Sequence, residues 1–507
     1  MPKPNILFIQ VDQLTARSLK AYGDPACVAP NLDKLAETGT VFDRAVCNFP
    51  LCAPSRFSMA TGKLCSAIGA YDNAAEMPAS VPTYAHYLRA EGYQTALSGK
   101  MHFIGPDQFH GFEKRLTPDL YPSDFSWVPN WGDEGERDTN DPRSVTVSGL
   151  CERSVQIDFD DLVTYNAVQH LYDIARAGDE RPFFLQVSYT HPHEPYLCRK
   201  PFWDLYEGVD IPQPAVPALA EAEHDAHSVR LLSDFGMLNV RFSDEDIQRA
   251  RRAYYGSISY LDELIGRVLA ALEATGQAVN TAIVFTSDHG EMLGERGMWF
   301  KKHFFEPSLH VPLIVKAPGV PASRCRTAVS LVDLLPTFMG FATEGAWDAD
   351  VEDLDGDDIM RFLQAEQPDR TVCCEYLAEA TTAPIFMLNR GNLKFIHSEA
   401  DPPLLFDLDA DPDERTNLAA DPAWADVVAQ FTAEVHQRWD SARLSEQIRL
   451  SQRRRRLINA GYAYGERPRW NHGEAPGTDV IWYRGEGSYN AWAFDYLPIE
   501  SDPSETA

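Results

Sequence analysis

No stretch of this 507-residue chain approaches the ~20 consecutive apolar residues that a helix needs to cross a bilayer, so no membrane span is expected. A secretory apolar region is missing as well. Met1-Pro2-Lys3-Pro4 passes directly into a strand-like run, and the expected location is the cytoplasm. Cysteine is sparse: nine thiols, odd in number and unevenly spaced, lay out no disulfide framework, and the adjacent Cys373-Cys374 pair reads as reduced and structural. Positive charge is in short supply too, with 45 Lys and Arg against 75 Asp and Glu and a formal net charge of -30. A field of that sign repels a nucleic-acid backbone and argues against nucleic acid as a partner. It does not exclude a small anion, because a pocket can be positive locally. The one basic cluster, Arg453-Arg454-Arg455-Arg456, reads in so acidic a chain as a solvated face or an intersubunit salt-bridge donor.

What is present is enough apolar residue, 44%, to bury a large core in more than one domain. From residue 1 to about 340, strand-like runs alternate with helical ones. Asn5 to Val11, Thr95 to Ser98, Arg181 to Tyr189 and Ala282 to Ser287 read as strands, and Asn31 to Thr38, Thr83 to Glu91 and Ile247 to Leu272 as helices. This alternation predicts an α/β sheet with helices on both faces. Three parts are expected: a catalytic α/β domain over 1–370, a small α+β domain over 371–460, and an aromatic-rich tail over 461–507 that packs on the body or on a neighbouring subunit. Glu344 to Asp358 turns acidic and loses periodicity, as a linker or surface excursion would. Neither Asp353-Leu354-Asp355-Gly356 nor Asp407-Leu408-Asp409-Ala410-Asp411-Pro412 is an EF-hand, since glycine is misplaced in the first and replaced by proline in the second.

Two strand-like runs end in metal-ligand types: Ile6-Leu7-Phe8-Ile9 leads to Asp12, and Ala282 to Ser287 leads to Asp288-His289-Gly290. Open α/β sheets place functional residues at such strand ends. Between them lies Cys52-Ala53-Pro54-Ser55-Arg56. A thiolate phosphatase needs its arginine further along, where this chain has Ser58, so that chemistry is disfavoured. The pentad resembles instead the signature of the sulfatases, in which the cysteine is oxidised after translation to formylglycine. Gly92-Tyr93-Gln94-Thr95-Ala96-Leu97-Ser98-Gly99-Lys100-Met101-His102 resembles the second signature of the same family, in the right order. Leu405 to Leu418 resembles a stretch of the small C-terminal domain of sulfatases.

The resemblance implies an alkaline phosphatase-like fold and a divalent cation held by Asp12, Cys52, Asp288 and His289. Hard oxygens with one imidazole suit calcium or manganese. Many sulfatases carry a second Asp after the first and an Asn after the later Asp. Here Gln13 and His289 stand there, as in choline sulfatases and phosphonate monoester hydrolases. The implied mechanism has hydrated formylglycine attack sulfur, with Arg56, Lys100 and Lys301 stabilising the charged oxygens, His102 as base for the step that expels sulfate, and His191 or Lys301 serving the leaving alcohol. His193 stays outside the catalytic set. Lys301 is preferred to Lys302 because Gly297-Met298-Trp299-Phe300-Lys301 resembles a choline sulfatase stretch.

The likeness to choline sulfatases extends to Tyr71 to Glu76, Gly99 to Glu113 and Asp119 to Trp131. It implies that Asn73 touches the sulfate and that Trp127, Glu379 and Asp495 hold a quaternary ammonium, a ring face with carboxylates. Gly132 to Ser148 and most of Gly461 to Ala507 depart from that family. The substrate is therefore expected to be choline sulfate or a related alkyl or aryl sulfate, with a phosphonate monoester or phosphodiester as the alternative and a silent oxyanion-binding homologue as a minor one. The implied partners are the small sulfate ester, an enzyme that generates formylglycine, and further copies of the chain in a dimer or tetramer.

Overall fold

The computed structural model describes residues 2–131, 140–347, 351–467, 470, 472, 493, 494, 496 and 497. One sheet organises the chain. Its strands are β1 (Asn5–Val11), β2 (Thr40–Phe42), β3 (Gln94–Gly99), β4 (Lys114–Arg115), β5 (Phe183–Ser188), β6 (Thr281–Ser287), β7 (Leu313–Lys316) and β8 (Ser323–Cys325), in the order β8-β2-β7-β6-β1-β5-β3-β4. β6, β1, β5, β3 and β4 run parallel, while β7 is antiparallel to β6 and to β2, so the sheet is mixed. The central strands are apolar nearly throughout because both their faces are covered.

The covering helices are α1 (Pro30–Thr38), α2 (Cys52–Thr61), α3 (Tyr84–Ala90), α4 (Val155–Ala177), α5 (Asp244–Ala274) and α6 (Leu334–Ala342). Helices α4 and α5 pack on each other with α1 beside them, and α2, α3 and α6 form a second group. Phe8 of β1 meets Tyr84 of α3 and Phe338 of α6 with ring centroids 6.2 and 5.2 Å apart. Ser243 and Asp246 form a capping box that starts α5 a turn earlier than its apolar periodicity predicts.

A second, antiparallel sheet follows: β9 (Thr371–Tyr376), β10 (Ile385–Arg390), β11 (Leu393–Ser398) and β12 (Asp401–Asp407). Helix α7 (Ala425–Arg438) lies on it, Phe431 stacking on Phe395. The acidic run after β12 is a turn rather than an ion loop, with Asp407 Oδ1 accepting from the amides of Asp409 and Ala410. Helix α8 (Ser441–Gly461) corrects the reading of the arginine run. Arg453 and Arg454 are exposed, but Arg455 is buried and binds both oxygens of buried Asp72, at 2.6 and 2.7 Å. Its partner is in its own chain. Of the tail, Trp470 packs edge-on against Phe125, and Tyr496 pairs with Ser154. Among the described residues no helix is long and apolar enough to cross a membrane.

Candidate active site

Register brings the site together. Val11 lies opposite Ser287, and Gly99 opposite Ser188, so Asp12, Lys100 and Asp288 leave the carboxyl edge of the sheet side by side. Gly99 is required there: its φ is +113°, and a Cβ would stand 1.8 Å from the Ser188 carbonyl oxygen. Gln13 follows Asp12 in the left-handed region, φ 65°, and its amide donates to Asp288 Oδ1 at 3.1 Å, tying the first strand end to the second. Cys52 is the first residue of α2, all ten residues of which are buried.

Asp12, Cys52, Asp288 and His289 bring one ligand atom each within 4.8 Å of one another. Cys52 Sγ is 3.2 Å from His289 Nε2 and 3.9 Å from Asp12 Oδ1. The chemistry of this donor set fits a divalent cation. Burial opposes charge on His289, yet Asp288, Cys52 and Asp12 together push its pKa up to about 9, so the acids draw a positive charge to the position of Nε2. His289 Nδ1 meets the Gly290 carbonyl at 2.9 Å, which leaves Nε2 to face the cluster as a ligand nitrogen would. Burial works against a Cys52 thiolate as well, but Lys100, Lys301 and His289 outweigh it and hold the thiol well below its ordinary range.

Arg56 is fully buried, and its nitrogens bind protein oxygens. Its Nε is 2.9 Å from Asp288 Oδ2 and its Nη2 2.9 Å from Asp12 Oδ2, while Nη1 donates to the Lys100 carbonyl and Ser188 Oγ at 2.7 and 2.8 Å. The guanidinium thus orients the two carboxylates. Lys100 Nζ also binds Asp12 Oδ2 and lies 4.0 Å from the centre of the Tyr121 ring.

Above the cluster opens a cavity of about 640 Å³, lined among others by Cys52, Asn73, Tyr121, Trp127, His193 and Lys301. His102, φ 58°, is held by its backbone amide on Asp119 Oδ2 at 2.8 Å, and its ring lies between Tyr121 and Trp127, with centroids 4.9 and 5.6 Å away. Neither ring nitrogen has a hydrogen-bond partner of ordinary geometry. Burial keeps the imidazole below its usual pKa, only partly offset by the nearby Cys52 sulfur, and so leaves it a neutral base.

The histidine expected to serve the leaving group, His191, and its neighbour His193 are placed differently. His191 Nδ1 is 2.7 Å from Asp160 Oδ2 on α4, and the ring packs on Tyr260 away from the cavity wall. His193 lines the cavity instead, its Nε2 2.8 Å from Lys301 Nζ and its Nδ1 2.7 Å from the Glu194 carbonyl. Lys301 also reaches Gln13 Oε1 at 2.5 Å and both oxygens of Glu194 at 3.5 Å. Burial disfavours its charge, but Glu194, Cys52 and Asp12 hold its pKa above the usual lysine value. Glu194 escaped the sequence reading, His193 was set aside, and Gln13 was read only as a departure from the family pattern, because the contacts joining them cross up to 288 residues. The one local signal was the presence of two histidines, not one, beyond β5.

The remaining expected contacts divide. Asn73 lines the cavity, and its Oδ1 accepts from the Ala53 amide at 3.0 Å, fastening the start of α2. Trp127 presents a ring to the cavity, 5.3 Å from that of Tyr121. Glu379 lines it too, but its Oε1 is 2.7 Å from Lys302 Nζ, the lysine passed over in favour of its neighbour. The carboxylate expected to meet a quaternary ammonium already meets an ammonium. Asp495 lies outside the described residues.

A mixed sheet whose parallel strands deliver two carboxylates, an imidazole and a lysine around a helix-initial cysteine defines a hydrolase of the alkaline phosphatase superfamily. The sulfatase family model matches residues 4–344, and that of the C-terminal part of N-sulphoglucosamine sulphohydrolase matches residues 294–441. The chain belongs to the sulfatase family and is a sulfuric ester hydrolase. It is 42% identical over 483 residues to a choline-sulfatase of Rhizobium meliloti, covering 93% of each chain. It is 28% identical to an arylsulfatase of Clostridium perfringens, covering 82% of this chain and 90% of the other. The phosphonate monoester hydrolase of Agrobacterium radiobacter shares the fold with a TM-score of 0.70 at 24% identity, covering 88% of this chain and 96% of that one.

Proposed function

We propose that the chain hydrolyses sulfate esters of small alcohols or phenols with formylglycine formed from Cys52 and a divalent cation, calcium or manganese, held by Asp12, Asp288, His289 and residue 52. The observation that supports this most is Cys52 at the head of α2, 3.2 Å from His289 Nε2 and at the floor of the cavity. When present, the aldehyde supplies a hydrated nucleophile and the cation polarises it while neutralising the ester oxygens.

The protein's own groups do the rest. Arg56 fixes Asp12 and Asp288 so that neither turns away from the ion site. Lys100 and Lys301 set positive charge where the sulfate oxygens gather. His102, neutral through burial, takes the proton whose removal expels sulfate. Lys301, held charged by Glu194, steadies the leaving oxygen and gives its proton to an aliphatic alkoxide, which is the stronger base. His193 keeps the ammonium aimed. Since Cys52 and all of α2 are buried, the maturation enzyme reaches the cysteine before the chain folds. A homo-oligomer and a cytoplasmic location complete the proposal.

The test combines peptide mass spectrometry at residue 52 with sulfate release from 4-nitrophenyl sulfate. Specific activity should rise in proportion to the fraction of aldehyde, fall to background in Cys52→Ala, and be lost on chelation and restored by calcium or manganese. Activity at the wild-type level from Cys52→Ala sinks the proposal.

A further inference from the structure

Lys302 is a built position rather than a stray surface charge. It is 2% exposed, its backbone is left-handed with φ 79°, its amide donates to the Pro50 carbonyl at 2.9 Å, and His227 Nε2 donates to its carbonyl at 2.9 Å. So pinned, the side chain runs along the cavity wall. Its Nζ reaches Glu379 Oε1 at 2.7 Å and Asn140 Oδ1 at 3.0 Å, with the Phe235 ring centre 5.1 Å away.

A cationic leaving group would need a carboxylate in this wall to offset its charge on leaving water. Glu379 is matched by Lys302. Glu194 is matched by Lys301 and also accepts from Gln13 and Asn140 at 2.6 and 2.9 Å. Of the remaining charges in the described wall, Arg230 is taken by both oxygens of Asp401, at 2.8 and 2.5 Å, and Asp234 is a third carboxylate. A quaternary ammonium entering beside Lys302 would meet a like charge in a partly desolvated space, where such repulsion is strongest. The volume, about 640 Å³, also suits a leaving group larger than choline.

We infer that Lys302 makes this enzyme select sulfate esters whose leaving alcohol carries no positive charge, with a carboxylate-bearing alcohol preferred to a neutral one. The inference rests on the proposed function for the place of the sulfate, and extends it to the group that leaves. Aromatic contact through Trp127 and Tyr121 is retained, since a ring face accepts a neutral aryl group as well as a cation.

The experiment compares kcat/KM for 4-carboxyphenyl sulfate, 4-nitrophenyl sulfate and choline sulfate in wild type, Lys302→Met and Lys302→Arg. Wild type should favour the carboxyphenyl ester over choline sulfate by at least tenfold. Lys302→Met should move that ratio toward choline sulfate by about a hundredfold, while Lys302→Arg, which keeps the charge, should leave the order as it is. Circular dichroism and metal content establish that each variant is folded. A wild-type preference for choline sulfate over both aryl esters, or a ratio that Lys302→Met does not move, overturns the inference. Titration calorimetry with choline and with 4-hydroxybenzoate reads the same subsite without turnover. Tighter binding of 4-hydroxybenzoate, reversed in Lys302→Met, supports the inference even if no sulfate ester is hydrolysed by aldehyde-bearing protein, an outcome that would sink the sulfatase proposal alone. Tighter binding of choline by wild type overturns it.

Discussion

Lys301 Nζ and His193 Nε2 lie 2.8 Å apart inside the cavity, while His191, two residues earlier in the same turn, is bound to Asp160 on α4 at 2.7 Å. The two histidines thus have separate consequences. His193→Ala removes the group that aims Lys301 and should lower kcat/KM for an aryl sulfate by about 10²-fold, with the melting temperature little changed. His191→Ala leaves a buried carboxylate with one fewer donor. It should cost about 1.5–3 kcal/mol of stability, the range for hydrogen bonds to charged groups, and alter kcat by less than about threefold. Urea unfolding beside steady-state kinetics separates the two. A His191 variant that is stable but inactive would show that the ring reaches the reaction after all.

Much of this site was legible because its residues sit at strand ends. Asp12, Asp288 and His289 each follow an apolar run read as a buried strand, Lys100 follows a shorter, more polar one, and the parallel strands of the sheet then gather such ends. The alternation of strands and helices gave the fold class for the same reason. Illegible were the contacts made by loops across the sheet. Arg56 looked like an anion-binding arginine, and only the side-by-side placement of Asp12 and Asp288 shows that its nitrogens are taken. Glu379 looked like a receptor for a cation, and its pairing with Lys302 spans the junction of the two domains. The run Arg453 to Arg456 looked uniform in sequence, yet helical geometry turns only Arg455 inward.

The junction between the domains carries a pH dependence of predictable sign. Lys394 on β11 is fully buried and pairs with Glu306, at 2.5 Å, and with Glu414, at 2.8 Å. Burial alone would raise the pKa of Glu306, but Lys394 and then His310 bring it down to about 2. A carboxylate depressed in the folded state stabilises the fold above its unfolded pKa, near 4.5, and that contribution is lost as the pH falls from about 4.5 toward 2. Unfolding free energies measured through that window should decline more steeply in wild type than in Glu306→Gln. At neutral pH the variant should be less stable by about 1.5–3 kcal/mol, the range for a hydrogen bond to a charged group, because Glu414 still pairs with Lys394. Parallel pH profiles for the two proteins would contradict this assignment.

Arg455 reaches the site through a short chain of contacts, although it touches no reacting group. It binds both oxygens of Asp72, and the adjacent Asn73 accepts from the Ala53 amide at 3.0 Å, so α8 holds the loop that fastens the first turn of α2, where Cys52 begins. The same helix steadies the cavity wall elsewhere. Gln452 Oε1 accepts from the Trp131 amide at 3.0 Å, and Arg449 donates to the Thr382 carbonyl at 3.1 Å. Arg455→Met should therefore destabilise the protein by about 3–5 kcal/mol, because buried Asp72 loses its countercharge. The double variant Arg455→Met with Asp72→Asn should recover part of that loss, since the uncompensated charge is gone. A merely structural pair would then return to full activity per folded molecule. If the bridge positions Asn73, kcat in the folded double variant should stay reduced, by about tenfold, while KM for a small aryl sulfate changes little. Activity at the wild-type level in that folded double variant would confine Arg455 to stability.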